Sequence, residues 1–254
     1  MPDLGFQVEG TEIVPYAVSP LLALKLRVSN ADELEPIQTV VLRCQIQLEV
    51  ARRRYNANEQ GRLLDLFGES QRWGQTLRPL LWANTNVVVP PFTASTSVDL
   101  QLPCAFDFNI ATTKYFAGLE EGAVPLTLLF SGTIFYKAES GALQIAQIPW
   151  EKESRYRLPV RVWRELMEIY YHNTAWLNLR RDVFDRLSDY KMRRGLPTFE
   201  RALERLLTGT DESEFEEPRL AEPNAAEDAR GRESLEHVEV LPMEQVKLGD
   251  GRWI

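Results

Sequence analysis

Leu22, Leu24, Leu26 and Val28 alternate with Ala23, Lys25 and Arg27 along the chain. Such a period of two marks a strand with one buried and one wet face. The pattern recurs at Val40, Leu42, Cys44, Ile46, Leu48 and Val50, with Arg43, Gln45, Gln47 and Glu49 on the opposite face. A third run puts Val98, Leu100, Leu102, Cys104, Phe106, Phe108 and Ile110 in phase. Pro103 interrupts it, which predicts a bend, or two strands with the proline at an edge. In a fourth run Leu126, Leu128, Phe130, Ile134 and Tyr136 share a face, with Gly132 at the matching small position. Residues 138–141 then turn the chain into 143–148, a predicted hairpin. Shorter strands are predicted near 12–18 and 84–89. Clean alternation favours antiparallel pairing, and this many short strands in one segment predict two packed sheets.

Two segments break the alternation. The stretch NEQGRLLDLFGESQRWGQTLRPLLW (58–82) spaces Leu63, Leu64, Phe67, Trp73, Leu77, Leu80 and Leu81 as a helical insertion would. Gly68 supplies a helix stop, and Pro79 restricts the backbone beyond it. Residues 110–121 predict a second short helix, ended by Gly122. After Trp150 the period changes to about 3.6. Val162, Trp163, Leu166, Met167 and Tyr170 form one stripe, and Arg180, Val183, Phe184, Leu187 and Lys191 another. Gly195 ends that helix, and Thr198 leads into a third with Phe199, Leu203 and Leu206 on one face. The pattern therefore predicts an α+β chain. An antiparallel β-sandwich-like domain occupies 1–155 with a helical insertion at 58–81. A helical segment over 156–208 packs on that domain. An acidic linker with an apolar C-terminal docking segment fills 209–254.

Charge sharpens this division. The 254 residues carry a net charge of -8, and all of the imbalance lies beyond residue 209; residues 1–209 are neutral. A neutral body argues against nucleic-acid binding, which needs a basic surface to displace counterions. No run approaches the ~18 apolar residues of a membrane helix, and the N-terminus has no signal-peptide pattern. Membrane insertion is therefore not expected, and the predicted compartment is the cytoplasm. The apolar end of the tail, with Val238, Val240, Leu241, Met243, Val246, Leu248, Trp253 and Ile254, predicts docking on a protein.

Candidate chemistry is sparse. His172 and His237 are the only histidines. There is no nucleophile elbow, no glycine-rich nucleotide fingerprint and no phosphate-loop lysine. Cys44 and Cys104 have inward parity and read as reduced core thiols. No catalytic residue, cofactor or metal site is predicted, so the expectation is a protein that is not an enzyme. The basic runs at 52–54, 180–181 and 191–194 are the best polar features and are expected to pair with nearby acids or to face an acidic partner surface. Trp73, Trp82, Trp150 and Trp163 are expected to seal the join between sheet and helices. Trp176, beside Arg180 and Arg181, is expected to anchor a protein interface.

The phrases RCQIQLE (43–49), LLDLFGESQRWGQTLRPLLW (63–82), PLTLLFSGTIF (125–135) and LPVRVWRELMEIYY (158–171) resemble an uncharacterised actinobacterial protein family. Genes of that family often lie beside those of uptake nickel–iron hydrogenases. The resemblance spans residues 3–208 and transfers no site residue. It implies an accessory or structural protein whose partners are hydrogenase subunits. The first functional reading is thus a non-enzymatic interaction module that assembles or scaffolds a hydrogenase or other redox complex. The alternative is a β-sandwich binding a small apolar or carbohydrate ligand, whose sign is an apolar pocket between sheet and helices.

Overall fold

A computed structural model describes residues 2–138 and 141–209. The chain divides into two compact units, one ending at Asn178 and the other beginning at Leu179. In the first unit the strands are β1 (Leu4–Ile13), β2 (Leu21–Asn30), β3 (Ile37–Leu48), β4 (Leu80–Val89), β5 (Ser95–Pro103), β6 (Ala123–Lys137), β7 (Leu143–Gln147) and β8 (Glu153–Pro159). Short helices α1 (Ala57–Arg62), α2 (Leu64–Phe67) and α3 (Trp73–Thr76) lie between β3 and β4. Helix α4 (Ile110–Gly118) precedes β6, and α5 (Val160–Tyr170) follows β8.

The strands form two antiparallel sheets, one in the order β1-β2-β5 and one in the order β4-β3-β6-β7 with β8 also on β6. Their inward residues make one hydrophobic core. Phe6 of β1 stacks on Phe130 of β6 with ring centroids 4.3 Å apart, which fastens one sheet to the other. Strand β6 is long because it serves two partners in succession. Thr133 to Lys137 pair with β7, and Ala123 to Leu129 pair with β8. Between them the chain loops out at Trp150, held by Ile148 N–H to Gly132 O at 3.0 Å and Phe130 N–H to Lys152 O at 3.0 Å.

Several boundaries differ from the sequence reading. The helical insertion is broken into three short helices, and Gly68 ends α2 with φ +71°. Leu80 and Leu81 belong to β4, opposite Leu48 and Gln47; pairing with β3 from Val40 to Leu48 outweighs their helical spacing. The third alternating run stops at Pro103. Beyond it Phe108 and Ile110 are exposed, because the chain has left the sheet and started α4. Residues 153–159, next to and within the segment read as helical, are strand. Tyr156 and Leu158 lie opposite Leu126 and Val124, and an apolar sheet edge needs that partner. Helix α5 does pack on the first unit, burying Trp163, Leu166 and Met167, and the Tyr170 hydroxyl donates to Ala17 O at 2.9 Å.

Trp150 corrects the picture of tryptophans as seals. Trp73, Trp82 and Trp163 are buried, but Trp150 is 89% exposed, since the loop between β7 and β8 carries it out of the layer. In the second unit, α6 (Arg181–Arg193) and α7 (Phe199–Gly209) pair through Phe184 and Phe199, 5.4 Å apart. Gly195, at φ +62°, makes the turn between them. No helix among the described residues is long and apolar enough to cross a membrane.

Candidate functional site: an arginine-lined cleft and an apolar sheet face

Beyond β3 the chain makes a tight turn at 50–52 and lays Arg52, Arg53 and Arg54 along a loop. Asn56 then starts α1 with a capping box. Its side chain accepts from Glu59 N–H at 2.8 Å, and the Glu59 carboxylate accepts from Asn56 N–H at 3.2 Å. This local geometry places Glu59 against Arg53. The guanidinium donates to both carboxylate oxygens, at 2.9 and 2.6 Å, and the two side chains are 8% and 3% exposed. Glu59 also accepts from Glu120 N–H at 2.8 Å, while Arg53 donates to Glu121 O at 2.5 Å. One buried pair thus ties the loop after β3 to the loop before β6.

Burial alone pushes Glu59 up, but the bonds from Arg53, Glu120 and Asn56 outweigh it and hold the carboxyl below its ordinary value. Burial would lower Arg53, and the Glu59 carboxylate more than reverses that. Tyr55 donates to Val50 O at 2.7 Å and shares a 2.9 Å bond with the Tyr115 hydroxyl. Desolvation raises both phenols, so the two hydroxyls stay protonated beside the ion pair.

The pair forms one wall of a cleft of about 1110 Å³, which Arg157 of β8 and Arg164 of α5 also line. A smaller recess beside it, about 500 Å³, reaches Pro159 and Arg161. Some of these charges are answered locally. Arg52 lies 3.5 Å from Glu49, and Glu120 is held by Arg62 at 3.3 Å and by Asn56 at 2.8 Å. Arg54, Arg157 and Arg161 form no ion pair among the described residues, and Arg164 donates to the Leu119 carbonyl instead. The only carboxylate of the lining without an ion pair among the described residues is Glu121. Sequence reasoning singled out residues 52–54 and missed Arg157, Arg161 and Arg164. Their spacing was a usable signal, since Arg161 and Arg164 are three apart on one helix. Reading 156–208 as a helical segment hid Arg157, which lies on β8.

A second feature lies on the outer face of the larger sheet. Val41 is paired between Val88 and Thr133, and Phe135 between Thr39 and Ile145. Val88 and Ile145 are 66% and 61% exposed. Along the same face the row Asn86, Arg43, Ser131 and the row Asn84, Gln45, Leu129 line a shallow trough with Trp150.

Trp176 is half-buried in the segment after α5. In the second unit Arg180 pairs with Asp182 at 2.9 Å and Arg181 with Asp185 at 3.0 Å, so both are engaged within α6. Val238, Val240, Leu241, Met243, Val246, Leu248, Trp253 and Ile254 lie outside the described residues. His172 is exposed and contacts Glu168. Cys44 and Cys104 are buried free thiols, each pushed up to about 12 by burial. Among the described residues no three His, Cys, Asp or Glu side chains gather where a metal ion could sit.

These features define a two-sheet antiparallel protein with a preformed basic cleft at one corner and exposed apolar side chains on the outer face of its larger sheet. The chain belongs to a family of unknown function, DUF6084, whose profile matches residues 1–215. No curated protein matches it. Among solved structures, beta-glucosidase 3B from Thermotoga neapolitana in complex with alpha-D-glucose is similar at 12% identity and a TM-score of 0.22. That match covers 61% of this chain and 17% of the other, and a likeness so slight carries no argument.

Proposed function

We propose that this protein is a non-enzymatic interaction module that docks a protein partner on the outer face of its larger sheet. One observation carries the reading: Val41, Val88, Phe135 and Ile145 occupy outward positions, where a half-wet antiparallel sheet presents polar side chains. Two apolar cross-strand pairs, Val41 with Val88 and Phe135 with Ile145, expose apolar surface of the kind that marks an interaction site. Strand β7 adds a sheet edge with no strand partner among the described residues, suited to strand addition. The family resemblance supplies the setting, assembly or scaffolding of a hydrogenase or other redox complex. The full chain, purified from its native host, is expected to bring hydrogenase subunits with it, and Ile145→Glu with Val88→Glu to lose them. Equal recovery with the double variant overturns the surface. Recovery of self-associated chain alone, seen by sedimentation velocity, overturns the partner.

A second reading is favoured by the trough beside Trp150. An exposed indole next to Arg43, Asn84 and Asn86 offers a stacking plane and planar hydrogen-bonding groups to a sugar. A glycan array that Trp150→Ala silences supports it; an array dark for the wild type removes it.

A further inference from the structure

We infer that the arginine-lined cleft binds a compact polyanion carrying two or more linked phosphate groups, at a site separate from the outer-sheet surface. Arg54, Arg157, Arg161 and Arg164 contribute to this one corner and its adjoining recess. Against them stands a single carboxylate without an ion pair among the described residues, Glu121. Like charges gathered in a concave space repel each other and destabilise the fold. An anion of matching charge relieves that repulsion.

The shape of the arrangement selects the chemistry. The four guanidinium groups come from three elements: the loop after β3, strand β8 and helix α5. A planar carboxylate is matched by one fork from one side. Tetrahedral phosphates present oxygens in several directions and suit forks converging from several. All the cationic residues lining the cleft are arginines, the residue for planar, two-point phosphate contacts. The cleft is larger than one phosphate needs. Its lining offers few apolar anchors beyond Tyr55 and Ala123, which disfavours an apolar-anchored peptide. The charge balance of residues 1–209 is neutral, so the cleft is a local site and no basic track for a nucleic acid.

Arg53 holds the wall of the cleft. Three of its five N–H groups donate to Glu59 and the Glu121 carbonyl, so the guanidinium is fixed in place before a ligand binds.

The test is calorimetric titration of the full chain at low ionic strength with inorganic tripolyphosphate, ADP and citrate. Tripolyphosphate is expected to bind one to one and more tightly than citrate, and to raise the melting temperature. Arg157→Gln with Arg161→Gln is expected to weaken it by about tenfold or more, as loss of charge-assisted bonds predicts. Both side chains are exposed, so the circular dichroism spectrum should be unchanged. Arg27→Gln, on strand β2 of the other sheet, should bind as the wild type does. ADP equal to or tighter than tripolyphosphate assigns the phosphates to a nucleotide; much weaker ADP assigns them to a free phosphate chain. Citrate matching tripolyphosphate, or undiminished binding by the double variant, overturns the inference.

Discussion

Arg53 and Glu59 face each other through two parallel hydrogen bonds in a site almost closed to solvent. Removing one partner of such a pair leaves an uncompensated buried charge. Glu59→Ala is therefore expected to cost about 3–5 kcal/mol, read as a lowered urea midpoint. The same bonds make stability depend on pH. The folded-state pKa of Glu59 lies below its ordinary value of 4.5, so the unfolded chain takes up the proton first as pH falls. The contribution is complete well above 4.5 and is lost as pH drops through the depressed folded-state value. Urea midpoints taken between neutral pH and about 3 should fall more steeply for the wild type than for Glu59→Gln.

Gly132 sits in β6 with φ +145°, and a Cβ there would lie 2.1 Å from the Val41 carbonyl oxygen. The neighbour is backbone and cannot move aside without breaking the ladder. Gly132→Ala should lose at least the ~1–3 kcal/mol typical of a forced backbone conformation. Gly74, in α3, has open space around it and no positive φ, so Gly74→Ala should be neutral or gain about 0.4–1 kcal/mol. Thermal melts of the two variants separate these outcomes.

Trp150 and Trp163 lie on either side of β8 in the chain, and only one is structural. Trp163 stacks on Phe116 at 5.2 Å and is buried, so Trp163→Ala should cost about 3–5 kcal/mol. Trp150→Ala should stay within about 0.5 kcal/mol of the wild type. A large loss at Trp150 in denaturant titration would contradict its exposed position.

Cys44 and Cys104 should resist alkylation in the native state at pH 8. Their thiols are buried and raised to about 12, and the reactive form is the thiolate. Mass spectrometry after iodoacetamide treatment should show both unmodified in native protein and modified in urea.

The strands β2, β3 and β6 were legible because each alternates cleanly, and period two is a local property of the chain. The breaks at Gly68 and Pro103 were legible for a related reason: glycine and proline act on their own backbone. The class of fold, the antiparallel pairing and the neutrality of the body are thus written in the linear pattern. Strand β8 is not, because its identity depends on the unpaired edge of β6 at Val124, Leu126 and Leu128. Nor does the pattern expel Trp150, which leaves the core only because β7 and β8 share one edge of β6 and the chain between them must loop out. The cleft belongs wholly to the tertiary structure. Arg54, Arg157, Arg161 and Arg164 are separated by up to 110 residues, and only the packing of α5 and β8 beside the Arg53–Glu59 pair brings them to one corner. Local patterns encode elements; electrostatic sites arise where elements meet, and that meeting is fixed by the core.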